Sequence, residues 1–238
     1  MVSKSFFPKL PGKGTLALVG SGEYLAPIEP LDGWLMTCLG EPARVVCLPT
    51  AAGNEGNDRI AYWSNLGVQH FTRLGAAQVE AVRVIDHTTA LDPALAERVA
   101  AANFIYISGG KPTYLHNALM DTPVWDAILS VLSRGGVVAG CSAGAMIFSE
   151  RIPTSLFAST WQPAFSLLPG AVILPHFDEI PRMMLAGMRL LAGSLPIIGI
   201  EGSTALVCGP NGLSVQGKGS VVVISDGNEQ RFSAGQVL

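Results

Sequence analysis

GGVVAGCSAGAM, residues 135–146, decides how this chain is read. On its left, Val137-Val138-Ala139 is a short apolar run of the buried-strand type; on its right, AMIFSER (145–151) opens with helical spacing. Between them Gly140-Cys141-Ser142-Ala143-Gly144 fits G-x-S-x-G, a pattern that requires a strand before it and a helix after it. The flanking glycines let the chain reverse where a Cβ would clash, so the central side chain, Ser142, projects from the tip of the turn. A serine there sits beside backbone N–H groups that no helical partner uses, which suits an oxyanion. The same letters also describe a plain strand-to-helix turn with Ser142 as N-cap. The surroundings must decide.

Working outward, short β-branched or apolar runs recur at 15–20, 44–49, 79–85, 104–110, 137–140, 171–175 and 196–200. Stretches with helical spacing lie between most of them, at 58–74, 93–102, 123–133 and 181–192. Strands alternating with helices imply an α/β fold, a mostly parallel sheet covered by helices on both faces. After about residue 203 the pattern changes: TALVCG, LSVQG and SVVVIS are separated by Pro-Asn-Gly, Gly-Lys-Gly and Asp-Gly-Asn. These are hairpin signals, so an antiparallel hairpin edge is expected to close the sheet. No repeat or linker divides the chain, and residues 1–238 read as one domain.

Ligands of an open parallel sheet bind at the carboxyl ends of its strands. Ser108-Gly109-Gly110 ends one strand and brings unobstructed backbone N–H groups beside the elbow, so Gly110 and Ala143 are the expected oxyanion donors. His176, in Leu174-Pro175-His176-Phe177-Asp178, ends the next strand, 34 residues after Ser142, where a general base for the serine would have to lie. His70, His87 and His116 fall on helix or loop stretches and are not candidates.

Composition narrows the partners. The net charge is −3 and charged residues make up 14% of the chain, so there is no broad basic surface for nucleic acid. Apolar stretches break well before the ~18 residues a membrane span needs. The N-terminal stretch MVSKSFFPKLPGKG has Lys4 but no apolar run of signal-peptide type after it, and the expected location is cytoplasmic. The four cysteines, Cys38, Cys47, Cys141 and Cys208, lie far apart without metal-ligand spacing, and no cofactor or metal is expected.

Together the glycine loop after the first strand (Gly20, Gly22), the Ser-Gly-Gly loop, the G-x-S-A-G-A elbow, Pro175-His176-Phe177 and the late segment Gly199–Leu206 resemble the S51 serine peptidases. That group includes dipeptidase E and cyanophycinase and shares the class I glutamine amidotransferase-like fold, a flavodoxin-like three-layer arrangement. The resemblance implies a serine hydrolase acting on a small peptide or amide through Ser142, His176 and an acid. The family places that acid near Glu201, the favoured candidate; Asp178, two residues after the histidine, is the second, and Glu150, beside Arg151, reads better as a solvated carboxylate. Cyanophycinases carry Asp-Gln after the glycine pair and several arginines after the histidine. Here Lys111-Pro112 follow Gly110, and Arg182 and Arg189 follow His176, so a site for β-linked aspartyl-arginine is not expected. Lys111 and Arg182 are the candidates for contact with a substrate carboxylate. Two other functions fit the same fold: a glutamine amidotransferase-like protein, against which Ser142 in place of cysteine argues, and a binding protein that has lost its acid. The sequence leaves a homodimer open.

Overall fold

A computed structural model describes residues 8–154 and 160–238; Lys4 and the start of the N-terminal stretch lie outside these. The strands, in chain order, are β1 (Thr15–Val19), β2 (Arg44–Leu48), β3 (Gln78–Ala81), β4 (Phe104–Ile107), β5 (Val137–Cys141), β6 (Arg151–Pro153), β7 (Trp161–Pro163), β8 (Val172–Leu174), β9 (Ile197–Ile200), β10 (Thr204–Gly209), β11 (Gly212–Gly217), β12 (Ser220–Ser225) and β13 (Asn228–Ser233). The helices are α1 (Glu29–Thr37), α2 (Asn57–Arg73), α3 (His87–Ala90), α4 (Pro93–Ala101), α5 (Pro112–Leu119), α6 (Pro123–Ser133), α7 (Ala143–Met146) and α8 (Arg182–Ala192).

The main sheet has seven strands in the order β11-β10-β1-β5-β4-β2-β3. Its five strands from β1 to β3 are mutually parallel, and β10 joins β1 antiparallel. Side chains alternate across a strand, and β1 shows the consequence. Leu16 and Leu18 enter the core under α4, α6 and α7, while Ala17 and Val19 enter the opposite core under α1 and α2. Both faces of β1 are therefore buried, which is why TLALV carries no polar alternation. Three helices begin with proline just inside the first turn, Pro93, Pro112 and Pro123. Asp92 and Thr122 cap two of them, accepting from Ala94 N at 2.9 Å and Trp125 N at 3.2 Å.

The last part of the chain departs from the expected single sheet. The hairpin β10–β11 does form an antiparallel edge of the main sheet. The runs at 171–175 and 196–200, however, build a second sheet of four strands, β13-β12-β9-β8, with β8 parallel to β9 and β12 antiparallel to it. β9 is buried along its whole length and bonded on both sides, so neither of its edges is left for the main sheet. Hydrophobic periodicity reports burial and not the identity of the partner strand. No helix among the described residues is long and apolar enough to cross a membrane.

Candidate active site

β5 ends at Cys141 and α7 begins at Ala143, which leaves Ser142 alone in the turn with φ 53° and ψ −112°. That conformation is sparsely populated for a residue with a Cβ and costs on the order of 1–3 kcal/mol, a strain typical of functional turns. The glycines make it attainable. A Cβ on Gly140 would lie 2.2 Å from the Gly144 carbonyl oxygen, and one on Gly144 would lie 2.4 Å from that of Ile107. The strand-turn-helix expected from the sequence is present.

His176 follows β8, on the second sheet and not on the edge of the first. It too has positive φ, 53° with ψ 34°, and its backbone N–H reaches the Gly20 carbonyl at 3.3 Å, tying the loop after β8 to the end of β1. This bond brings the two sheets together where Ser142 projects. Nε2 of His176 lies 3.0 Å from Oγ of Ser142.

The expected acids are occupied elsewhere. Glu201 accepts from the Ser220 N–H at 2.8 Å through Oε2, and its Oε1 pairs with Arg231. Asp178 accepts from the Gly202 N–H at 2.9 Å. Glu150 accepts from the Gly170 N–H at 2.8 Å. Among the described residues the carboxylate that meets the imidazole is Glu179, whose Oε2 is 3.5 Å from Nδ1. The physical reason is the three-residue 3₁₀ turn Phe177–Glu179: positions three apart eclipse in such a turn, so Glu179 returns to His176 whereas Asp178 turns toward Gly202. Glu179 is 65% exposed, so water weakens the pairing.

Sequence reasoning also passed over Glu23, in the GSGEY loop after β1. Its Oε1 accepts from the Gly109 N–H at 3.0 Å, and its Oε2 accepts from the Cys141 thiol at 3.2 Å. It thus holds the Ser-Gly-Gly loop directly behind the elbow: a Cβ on Gly109 would come within 3.1 Å of Ser142 Cβ. A carboxylate at the carboxyl end of the first strand was the available signal. Cys141 is fully buried, and burial first, with Glu23 beside it, pushes its thiol well above the usual range. It is a poor nucleophile beside a serine that reaches the cavity. His70 is buried against Asp32 at 2.7 Å, outside this site.

Ser142, Ala143, Gly110 and His176 all line one cavity of about 550 Å³. Among the described residues, the N–H groups of Gly110 and Ala143 donate to no protein acceptor, as an oxyanion site needs. Lys111 also lines the cavity, with Nζ 3.3 Å from Asn54 Oδ1. Arg182 does not. It faces a separate, charged cavity together with Asp178, Glu201 and Arg231, so the two candidates for contact with a substrate carboxylate line different cavities.

The family model of peptidase family S51 matches residues 16–215. A cyanophycinase from Trichormus variabilis is 26% identical over 171 residues, 66% of this chain; the match spans 56% of that protein, little more than half its length. An uncharacterized peptidase from Listeria innocua is 28% identical over 148 residues, covering 58% of this chain and 66% of that one. The crystal structure of a peptidase from an acI-B1 Actinobacterium superposes with a TM-score of 0.85 at 33% identity, over 95% of this chain and 96% of that one. A putative peptidase E from Listeria monocytogenes, 20% identical, shares the fold with a TM-score of 0.64 over 87% of this chain and 99% of that one.

Proposed function

The chain belongs to peptidase family S51, and on that footing we propose that it is a serine hydrolase cleaving small peptides or amides through Ser142 and His176. The 3.0 Å contact between His176 Nε2 and Ser142 Oγ, at the strained tip of the elbow, carries this reading. His176 takes the hydroxyl proton as Oγ bonds to the substrate carbonyl carbon. The carbonyl oxygen becomes an oxyanion within reach of the Gly110 and Ala143 N–H groups. The C–N bond then breaks, its electron pair leaves with the amine, and His176 gives the amine its proton. Water repeats the sequence on the acyl-enzyme: His176 takes a proton from water as the water oxygen bonds to the acyl carbon, the ester bond breaks with its electron pair on Oγ, and His176 returns the proton to Oγ. Glu179 orients the imidazole from the solvent side, and Glu23, accepting from the Gly109 N–H, fixes the peptide just before the one that carries the Gly110 donor.

Treating the protein with a fluorophosphonate and locating the adduct by mass spectrometry tests the nucleophile. An adduct on Ser142, together with dipeptide cleavage that Ser142→Ala abolishes, is expected; an unmodified Ser142 in folded protein would refute the assignment. One observation favours the binding-protein reading instead: Glu201 and Asp178 are both engaged away from His176. A glutamine amidotransferase has no such support, because the one cysteine at the elbow, Cys141, is buried beneath it. The reading includes a cytoplasmic location, supported by four free thiols. Cleavage of β-linked aspartyl-arginine, the chemistry associated with cyanophycinases, is not part of it.

A further inference from the structure

Three methionines line the cavity that Ser142 opens into. Met146 stands one turn beyond the nucleophile at the end of α7, and Met184 and Met188 lie one turn apart on the same face of α8. Leu174, Ile180 and Pro153 add further apolar wall, and Thr113 and Thr154 are its neutral polar members. Met146 and Met184 are only partly buried, so the protein itself does not fill the space they border.

Charge is nearly absent from this wall. Among the described residues lining the cavity no carboxylate is present, and Lys111, at the rim, is held to Asn54. An arginine or lysine side chain drawn inside would lose its water and meet no counter-charge, a cost that an apolar side chain avoids. An apolar group gains instead from every methylene that leaves water. At about 550 Å³ the cavity has room for a side chain of leucine, methionine or phenylalanine size next to the scissile bond. Methionine is unbranched and polarizable and adapts to differently shaped partners, which suits several apolar side chains over a single one.

We infer that the acyl group transferred to Ser142 carries an apolar side chain, seated against Met146, Met184 and Met188. This rests on the hydrolase reading above and assigns that site its substrate class. Apart from Lys111 at the rim, the charges that could pair with an aspartyl or arginyl side chain lie in the other cavity, beyond Ile180.

The test is competition among X-Ala dipeptides, with X as Leu, Met, Phe, Ala, Asp or Arg, incubated together with the full-length protein and followed by mass spectrometry. Relative depletion gives the kcat/KM ratios directly. Leu, Met and Phe should exceed Ala by about tenfold or more, and Asp and Arg should fall below Ala. In Met184→Asp, at a partly exposed position that should tolerate the change, the Leu-to-Ala ratio should drop toward one. Cleavage led by Asp or Arg, or a flat series, would overturn the pocket assignment while leaving the serine hydrolase intact. Calorimetric titration of Ser142→Ala with the same dipeptides separates binding from chemistry. If no dipeptide is cleaved and Ser142 takes no fluorophosphonate, the hydrolase reading fails; preferential binding of Leu-Ala would then still support the apolar seat, and no preference would end it.

Discussion

Two cavities share Ile180 as a common wall. The one of about 550 Å³ holds Ser142, His176 and a methionine cluster; the other, of about 610 Å³, holds Asp178, Arg182, Glu201, Glu229, Arg189 and Arg231. In the charged cavity most groups already have partners: Glu201 with Arg231 and the Ser220 N–H, Asp178 with the Gly202 N–H, and Arg189 with Glu229. These contacts fasten the second sheet and the loop into β10. In the apolar cavity the reverse holds for the backbone that lines it, because among the described residues the Gly110 and Ala143 N–H groups donate to no protein acceptor. A satisfied charge is part of the scaffold, whereas an unpaired donor beside a nucleophile is available to a substrate.

The largest expected effect separates the two cavities outright. Ser142→Ala should lower kcat by about a thousandfold or more, since the oxyanion site and binding alone cannot replace the nucleophile. Glu201→Gln and Asp178→Asn should stay within about tenfold of wild type, because neither carboxylate touches His176. Steady-state kinetics on the best dipeptide decide the matter. A hundredfold loss in either acid variant, with the fold intact by circular dichroism, would mean that the charged cavity serves catalysis after all.

Part of this arrangement was legible in the sequence. The elbow was, because Gly140 and Gly144 leave no room for a Cβ and so fit the tight turn that sets Ser142 at its tip. The nearness of His176 to Ser142 was read from its place after a strand, although that strand belongs to another sheet. Which carboxylate stands nearest the imidazole was not legible. Asp178 and Glu179 are neighbours, and only the 3₁₀ turn determines which of them returns to the imidazole. Glu201 fits the family pattern by position, yet its direction depends on Arg231, which lies 30 residues further along. Glu23 was hidden for the same reason, since its partner Gly109 is 86 residues away.

The next expected effect concerns that hidden residue. Glu23→Ala should cost about tenfold to a hundredfold in kcat with little change in KM, because the loop carrying the Gly110 donor loses its anchor. Glu23→Gln keeps an acceptor oxygen and should recover most of the loss; a purely structural role would not distinguish the two in kcat at equal thermal stability. Cys141→Ala should remain within about fivefold, the buried thiol being no nucleophile.

Glu179→Gln sharpens the comparison at its boundary. A buried triad carboxylate is worth several orders of magnitude, but this one is 65% exposed and 3.5 Å from Nδ1. The expected loss in kcat is about tenfold or less, and it should shrink further at high salt, which screens an exposed pair. A salt-independent loss of about a thousandfold would show that the side chain closes over the imidazole when substrate binds.

Arg182→Ala should have the smallest effect. Its guanidinium faces the charged cavity, and Ile180 stands between that cavity and the methionine cluster. For a substrate with an apolar acyl group and an uncharged leaving group, such as an amide-capped dipeptide, kcat/KM should change by no more than about twofold, the range of surface substitutions. The informative contrast is the same dipeptide with a free carboxylate. If Arg182 binds that carboxylate across the shared wall, KM should rise in the variant for the free acid and not for the amide, since uniform binding energy appears in KM with kcat unchanged. Equal behaviour toward both substrates keeps the cavities separate. A selective KM effect would join them into one site, with the acyl group on the methionine side of Ile180 and the leaving group on the arginine side.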